Sequence, residues 1–236
     1  MRKILGLVRA AVDDYSMIEN GDKIAVGVSG GKDSLLLLKS LCELKRFYPK
    51  QFDITAITLD MRFENKDGDF SAIKEMCDFY GVEYVIRRTE LAEIIFDIRK
   101  ENNPCSLCAR MRRGILHDAS KELGCNKIAL GHHLDDAAET FIMNLLNESR
   151  IGCFSPVTYL SRKDITMIRP LIYLSEAQVV CASERLSLPV TKSKCPANEH
   201  TERETTKTLL KELSKAHGDV PQKILGALKR SGIDNW

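Results

Sequence analysis

Apolar positions along this chain follow two alternating rhythms. Residues 24–28, 54–59, 84–87 and 127–130 are short runs rich in β-branched and aromatic side chains, the pattern of strands covered on both faces. Between them, residues 34–47, 70–80, 91–100, 106–123 and 135–146 place apolar side chains three or four apart and read as helices. Strand and helix in turn predict an α/β fold, a parallel sheet with helices on both faces. An amphipathic helix over 2–17 precedes this series and ends at the turn Glu19-Asn20-Gly21-Asp22. The stretch 148–172 is mixed, with 165–168 as one further strand before Arg169-Pro170. A helix over 175–186 has Ser175 as its cap, and 201–216 and 221–230 read as two last helices. The expected organisation is a single domain, 1–236. It comprises an N-terminal helix (1–20), an α/β core (21–187) and a helical C-terminal extension (188–236) packed against that core. Right-handed crossovers place the ligand at the carboxyl ends of the strands.

The first strand-to-helix junction carries the most chemistry: Val28-Ser29-Gly30-Gly31-Lys32-Asp33-Ser34. Glycines let the backbone approach a ligand, and a helix start offers free N–H groups and the positive end of a dipole, so an anion, above all phosphate, is the expected guest. The common Gly-x4-Gly-Lys-Ser/Thr loop would need Gly at 26 and Ser or Thr at 33, where the chain has Val26 and Asp33. A bare Gly-Asp-Ser turn is the bland alternative. A second junction, Gly131-His132-His133-Leu134-Asp135-Asp136-Ala137-Ala138-Glu139-Thr140, follows the 127–130 strand, so its tip shares a sheet edge with the first loop. Its acids can hold Mg²⁺; alternatively Asp135 caps the helix, Glu139 is a solvated helix residue and one histidine serves packing.

Composition narrows the class. A length of 236 residues, 44% hydrophobic and 29% charged, suits one α/β domain with a modest appendage. No apolar run is long enough to cross a bilayer, and Met1-Arg2-Lys3 leads to Asp13 and Asp14 rather than a cleavable apolar stretch. The expectation is a cytoplasmic protein with no membrane partner. A net charge of +2 does not by itself imply polyanion binding, but Arg87-Arg88, Arg110-x-Arg112-Arg113 and Lys192-x-Lys194 are local basic clusters suited to a nucleic-acid backbone. Eight cysteines in a reducing compartment read as thiols rather than disulfides. Cys42, Cys77, Cys125 and Cys181 read as small buried hydrophobes. Cys105 and Cys108 form a Cys-x2-Cys pair, able to share a metal or to work as a redox pair at a helix start. Cys195, followed by Pro196, is a third thiolate that only folding could bring to them. Three thiolates leave one iron of a cubane cluster open; zinc would need a fourth ligand, for which His200 or Cys153 could serve.

These segments, with Cys105-Ser106-Leu107-Cys108-Ala109-Arg110-Met111-Arg112-Arg113-Gly114 and Arg169-Pro170-Leu171, resemble the PP-loop ATP pyrophosphatase superfamily, and within it the tRNA 2-thiocytidine synthetase family, over roughly residues 20–200. Lysidine synthetases share the other loops and lack the Cys-x2-Cys with Arg-Arg-Gly. Related two-thiouridine enzymes carry extra cysteine pairs at both ends, which are absent here. The resemblance implies ATP and Mg²⁺ at a site lined by Ser29, Gly30, Gly31, Asp33, Ser34, Gly131 and His132. It implies that Cys105, Cys108 and Cys195 hold a 4Fe-4S cluster; in the mechanism that follows, Asp33 and one of Asp135 and Asp136 organise the Mg²⁺, and Arg112, one helical turn beyond Cys108, is placed to meet a phosphate or developing charge. The implied substrate is an anticodon-loop cytidine (position 32) of tRNA, adenylated at its C2 oxygen and then thiolated with sulfur from a cysteine desulfurase; a homodimer is compatible with the likeness. Arg87, Arg110, Arg113, Lys192 and Lys194 are the candidates for RNA-backbone contacts. The chain departs from the family at 147–152, where many members carry Gly-Gly, and at Lys192, where a second Cys is expected. A tRNA uridine or small-metabolite substrate, or a non-catalytic metal- and tRNA-binding protein, therefore stand as alternatives.

Overall fold

The computed structural model describes residues 1–100, 104–191, 195–196 and 202–236. At the centre lies β1 (Asp22–Gly27), whose Ile24, Ala25 and Val26 are fully buried between helices on the two sheet faces. It pairs in parallel with β2 (Phe52–Asp60) on one side and β4 (Lys127–Ala129) on the other. β3 (Glu83–Arg88) extends the sheet beyond β2, and β6 (Ile165–Ile168) beyond β4, both in parallel. With β5 (Val157–Leu160) at the far edge, the six-stranded order is β3-β2-β1-β4-β6-β5.

The departure from an all-parallel sheet is β5 (Val157–Leu160), an edge strand antiparallel to β6 and unassigned in the sequence reading. Four residues, three half-exposed and Tyr159 exposed, give no periodicity to detect; the hairpin forms because β6 offers a free edge. A second difference lies at 91–100, read as an ordinary helix. The observed segment is π-helical over Glu93–Arg99, ending at Lys100 with φ +47°.

The chain runs from β1 outward to β2 and β3, then returns past β1 to β4. The resulting switch point, between β1 and β4 at their carboxyl ends, is where an open α/β sheet leaves a crevice. Two helices start there. α2 (Lys32–Lys45) buries Leu35, Leu36, Leu37, Leu38, Leu41 and Leu44 completely, which anchors its first turn at the crevice. α5 (Leu134–Asn147) buries Leu134, Ala137 and Ala138 and receives α7 (Glu202–His217) and α8 (Val220–Ser231) against its outer face. α1 (Arg2–Asp14) packs on α2 through Ile4, Val8, Ala11 and Val12. The remaining helices are α3 (Ser71–Tyr80), α4 (Pro104–Glu122), which covers β2 and β4, and α6 (Glu176–Arg185), which packs on α2. No helix among the described residues is long and apolar enough to cross a membrane.

Candidate nucleotide and thiolate site

The first loop is braced from below and within. Val28 N–H donates to Ile57 O at 2.8 Å, and Thr58 Oγ1 donates to Val28 O at 2.8 Å. Ser29 N–H donates to Ser34 Oγ (3.1 Å), Ser34 Oγ donates to Gly31 O (3.0 Å), and Gly31 N–H donates to Ser29 Oγ (3.3 Å). The two serines thus lock the bend over the start of α2, whose N-terminal residue Gly31 supplies no capping side chain. Gly30 has φ +82°, and a Cβ there would lie 2.2 Å from Thr191 Oγ1. Thr191 N–H donates to Gly30 O at 3.0 Å, so this residue packs directly on the loop.

The second loop presses on the first. A Cβ on Gly131 would meet the Asp33 carbonyl carbon at 3.0 Å and Ser34 N at 3.1 Å, so the two backbones meet where any side chain would press them apart. His133, not Asp135, caps α5. Asp136 N–H donates to His133 Nδ1 (3.4 Å) while His133 N–H donates to Asp136 Oδ2 (2.9 Å), a reciprocal box. Asp135 instead accepts from Glu176 N–H at 2.6 Å and ties α5 to the start of α6. His132 stacks on Phe154 with ring centroids 5.0 Å apart. Arg169, buried, donates Nε–H to His132 Nδ1 at 3.3 Å and Nη1–H to Thr158 Oγ1 and Ser155 O, with its guanidinium 4.8 Å over the Phe154 ring. A guanidinium only donates, so His132 Nδ1 must accept and the ring proton sits on Nε2. Burial, reinforced by Arg169's charge, holds His132 down to about 4, which keeps it neutral; burial likewise pulls Arg169 down to about 10.

Around these loops runs a charged rim. Asp33 Oδ1 is buried without a hydrogen-bond donor, with Lys32 Nζ at 3.3 Å and His133 Nε2 at 3.7 Å. His133 Nε2 lies 3.5 Å from Asp136 Oδ2, and Asp136 Oδ1 lies 2.9 Å from Arg203 Nη1. Glu139, read from sequence as a solvated residue, is only 5% exposed; burial pushes its carboxyl up to about 7 against the pull of Arg203, 3.6 Å away. Glu176 pairs with Lys207 (2.7 Å) and Lys32 (3.5 Å). Glu176, Arg203 and Lys207 escaped the sequence reading. The i, i+4 spacing of Arg203 and Lys207 marks one face of α7, but nothing in the sequence says that this face meets α5 and α6.

The thiols gather at the start of α4. Cys105 is exposed and Cys108 half-buried, one turn apart, and Leu107 and Met111 pack that turn against Leu91 and Ile95. Burial pushes the Cys108 thiol up. Arg112 opposes this by charge and by a hydrogen bond, whereas Cys195 and Cys105 both raise it further, so the three sulfurs lie within electrostatic reach of one another. No three His, Cys, Asp or Glu side chains among the described residues are arranged to hold a metal ion, so these thiols are neighbours rather than a closed cage. The donor chemistry nonetheless fits a thiolate-held centre, with Arg112 beside it to offset negative charge. Cys153 is no candidate zinc ligand: it is buried, its thiol donates to Ala137 O at 3.3 Å, and burial pushes it up to about 12. Cys181 is exposed rather than buried, whereas Cys42, Cys77 and Cys125 are buried. Arg110, Arg112 and Arg113 are exposed along α4, and Arg113 is near enough to Arg169 to help depress it. Arg87 is engaged with Glu122. His200, Lys192 and Lys194 lie outside the described residues.

Comparison with known proteins gives this geometry a context. The PP-loop domain family matches residues 5–209. The tRNA-cytidine(32) 2-sulfurtransferase of Syntrophotalea carbinolica is 37% identical over 232 residues, covering 96% of this chain and 88% of that protein. That of Pelobacter propionicus is 38% identical over 230 residues, covering 96% and 85%. Among solved structures, the U34-tRNA thiolase of Methanococcus maripaludis, with its 4Fe-4S cluster, matches at a TM-score of 0.75 and 28% identity, covering 95% of this chain and 77% of that one.

Proposed function

We propose that this chain, which belongs to the PP-loop family and within it to the tRNA-cytidine(32) 2-sulfurtransferase family, is an ATP-dependent tRNA sulfurtransferase acting on cytidine 32. The observation that carries this reading is the likeness to those sulfurtransferases along 96% of the chain. The site's own geometry supports it. The cradle at Gly30, Gly31 and Gly131 brings two backbones together with a helix N-terminus directed at one crevice, as a polyphosphate requires. Asp33, with a buried oxygen lacking a donor, and Asp136, across His133 from it, are the carboxylates to hold Mg²⁺. When bound, that ion offsets charge on the phosphates.

In this reading the cytidine C2 oxygen attacks the α-phosphate of ATP, pyrophosphate leaves, and the oxygen becomes part of a good leaving group. Hydrosulfide then adds at C2, and the C2–O bond breaks as AMP departs with that oxygen. Ser29 and Ser34 lock the loop over the start of α2, whose first-turn N–H groups are the donors for the departing pyrophosphate. Neutral His132, its proton fixed on Nε2, presents a hydrogen-bond donor with no partner among the described residues. A 4Fe-4S cluster on Cys105, Cys108 and Cys195 would supply the sulfur-carrying site. Arg112 tempers the charge of the thiolates, and exposed Arg110 and Arg113 meet the RNA backbone, whose loop nucleotide is cheap to unstack. A cysteine desulfurase as the ultimate sulfur source belongs to the same reading.

Two measurements test it. Anaerobically purified protein should contain about four iron and four sulfide per chain, and tRNA from a deletion strain should lose 2-thiocytidine while keeping 2-thiouridine. The structural match to a U34-tRNA thiolase favours uridine as the second reading. Loss of 2-thiouridine instead would transfer the assignment to it, and intact thionucleosides would end both.

A further inference from the structure

α7 contributes two cations to a rim of carboxylates that comes from three other helices. Arg203 Nη1 is 2.9 Å from Asp136 Oδ1, its Nε is 3.6 Å from Glu139 Oε2, and its Nη2 donates to Thr140 Oγ1 at 3.5 Å. Lys207 holds Glu176, which also pairs with Lys32 of the first loop. The guanidinium therefore sits three contacts from that loop, through Asp136 and then His133 to Asp33. Its side chain is 44% exposed, whereas that of Asp136 is 16% exposed and held by the α5 cap.

The chemistry of this arrangement is a competition. A divalent cation and a guanidinium cannot both take Asp136 Oδ1 at bonding distance without strong like-charge repulsion. A triphosphate in the adjacent loop would offer the displaced fork a better-matched anion, since planar guanidinium pairs bidentately with phosphate oxygens. We propose that Arg203 is a nucleotide-binding residue supplied by the C-terminal helices: it pairs with Asp136 until a divalent cation takes that carboxylate, and it then binds the triphosphate. In the second arrangement α7 is drawn towards the loop by its contact with the triphosphate. This rests on the ATP reading above and adds to it a residue that lies outside the loop motifs.

The full chain, its Arg203→Ala variant and its Arg203→Lys variant are compared in two equilibrium measurements. The first is binding of α,β-methylene ATP with Mg²⁺ by calorimetry. The second is binding of Mn²⁺ alone by electron paramagnetic resonance. Removing Arg203 should weaken the nucleotide analogue about tenfold, the size of one charge-assisted contact, while tightening Mn²⁺ severalfold because its competitor is gone. Arg203→Lys, which keeps the charge and loses the fork, should fall between, and it carries the test if the alanine variant does not fold. A merely structural role would leave nucleotide affinity unchanged or weaken both ligands together, and either result overturns the proposal. Wild-type protein that binds no analogue at all overturns the ATP reading and this proposal with it; wild-type binding with unaltered variants overturns this proposal alone.

Discussion

Gly131 shows how one missing methyl group shapes the crevice. Its backbone touches that of Asp33 and Ser34, and a Cβ would stand 3.0–3.1 Å from three atoms that cannot rotate away. Gly131→Ala must therefore push the two loops apart by a few tenths of an ångström. The fold is expected to persist, because the helices on either side are anchored by buried Leu35, Leu36 and Leu134. Analogue binding should weaken about tenfold or more, while calorimetry shows a thermal midpoint lower by only a few degrees. A variant that binds as well as the parent would show that the loops do not share the ligand. At the same scale, Arg169 acts on His132 by what it lacks: with no acceptor to offer, it dictates which ring nitrogen carries the proton. A glycine in a strand-to-helix loop and an Arg-Pro after a strand can both be picked out from sequence. Their partners cannot, since Gly131 and Asp33, like Arg169 and His132, meet only across the switch point.

Among the elements, α4 links structural stability to the thiols. His117 is buried midway along it, its Nε2 has no hydrogen-bond partner, and burial, aided by Arg113, holds its pKa below the ordinary 6.5. The unfolded chain takes up this proton more readily than the folded one. Stability from this group is complete above about 6.5 and is lost as pH falls through that value towards the folded-state pKa. Urea midpoints of the wild type should drop between about pH 7 and pH 5. His117→Leu should reduce that slope, and parallel curves for the two proteins would refute the account. The helical pattern over 106–123 was legible because apolar residues recur at the right spacing along α4 (Pro104–Glu122). The π-helical turn before it was not, because its apolar spacing suits a helix of either pitch; its Ile95 packs with Met61 and Leu91.

At the scale of the whole molecule, the C-terminal helices are fastened to the site from behind. Trp236, the chain's single tryptophan, donates Nε1–H to Phe154 O at 3.0 Å and meets Tyr15 edge-on with centroids 6.4 Å apart. Phe154 in turn carries His132 on its face. Trp236→Ala should cost about 3 kcal/mol, the usual range for a large buried aromatic, read from chemical unfolding followed by circular dichroism. It should also broaden the His132 ring signals in nuclear magnetic resonance; a sharp, unshifted His132 would show that this chain of rings transmits nothing.

The order of amino acids by itself determined the strand–helix alternation, the two loop motifs, the Cys-x2-Cys pair and the resemblance that joined them, because each is written in contiguous residues whose spacing matches a local geometry. Tertiary structure alone decided that β5 turns back along β6, that His133 rather than Asp135 caps α5, that Glu139 is buried, and that α7 brings Arg203 and Lys207 to the carboxylate rim. Those outcomes depend on which faces meet across distant sequence, where burial and charge pairing, rather than local periodicity, set the free energy.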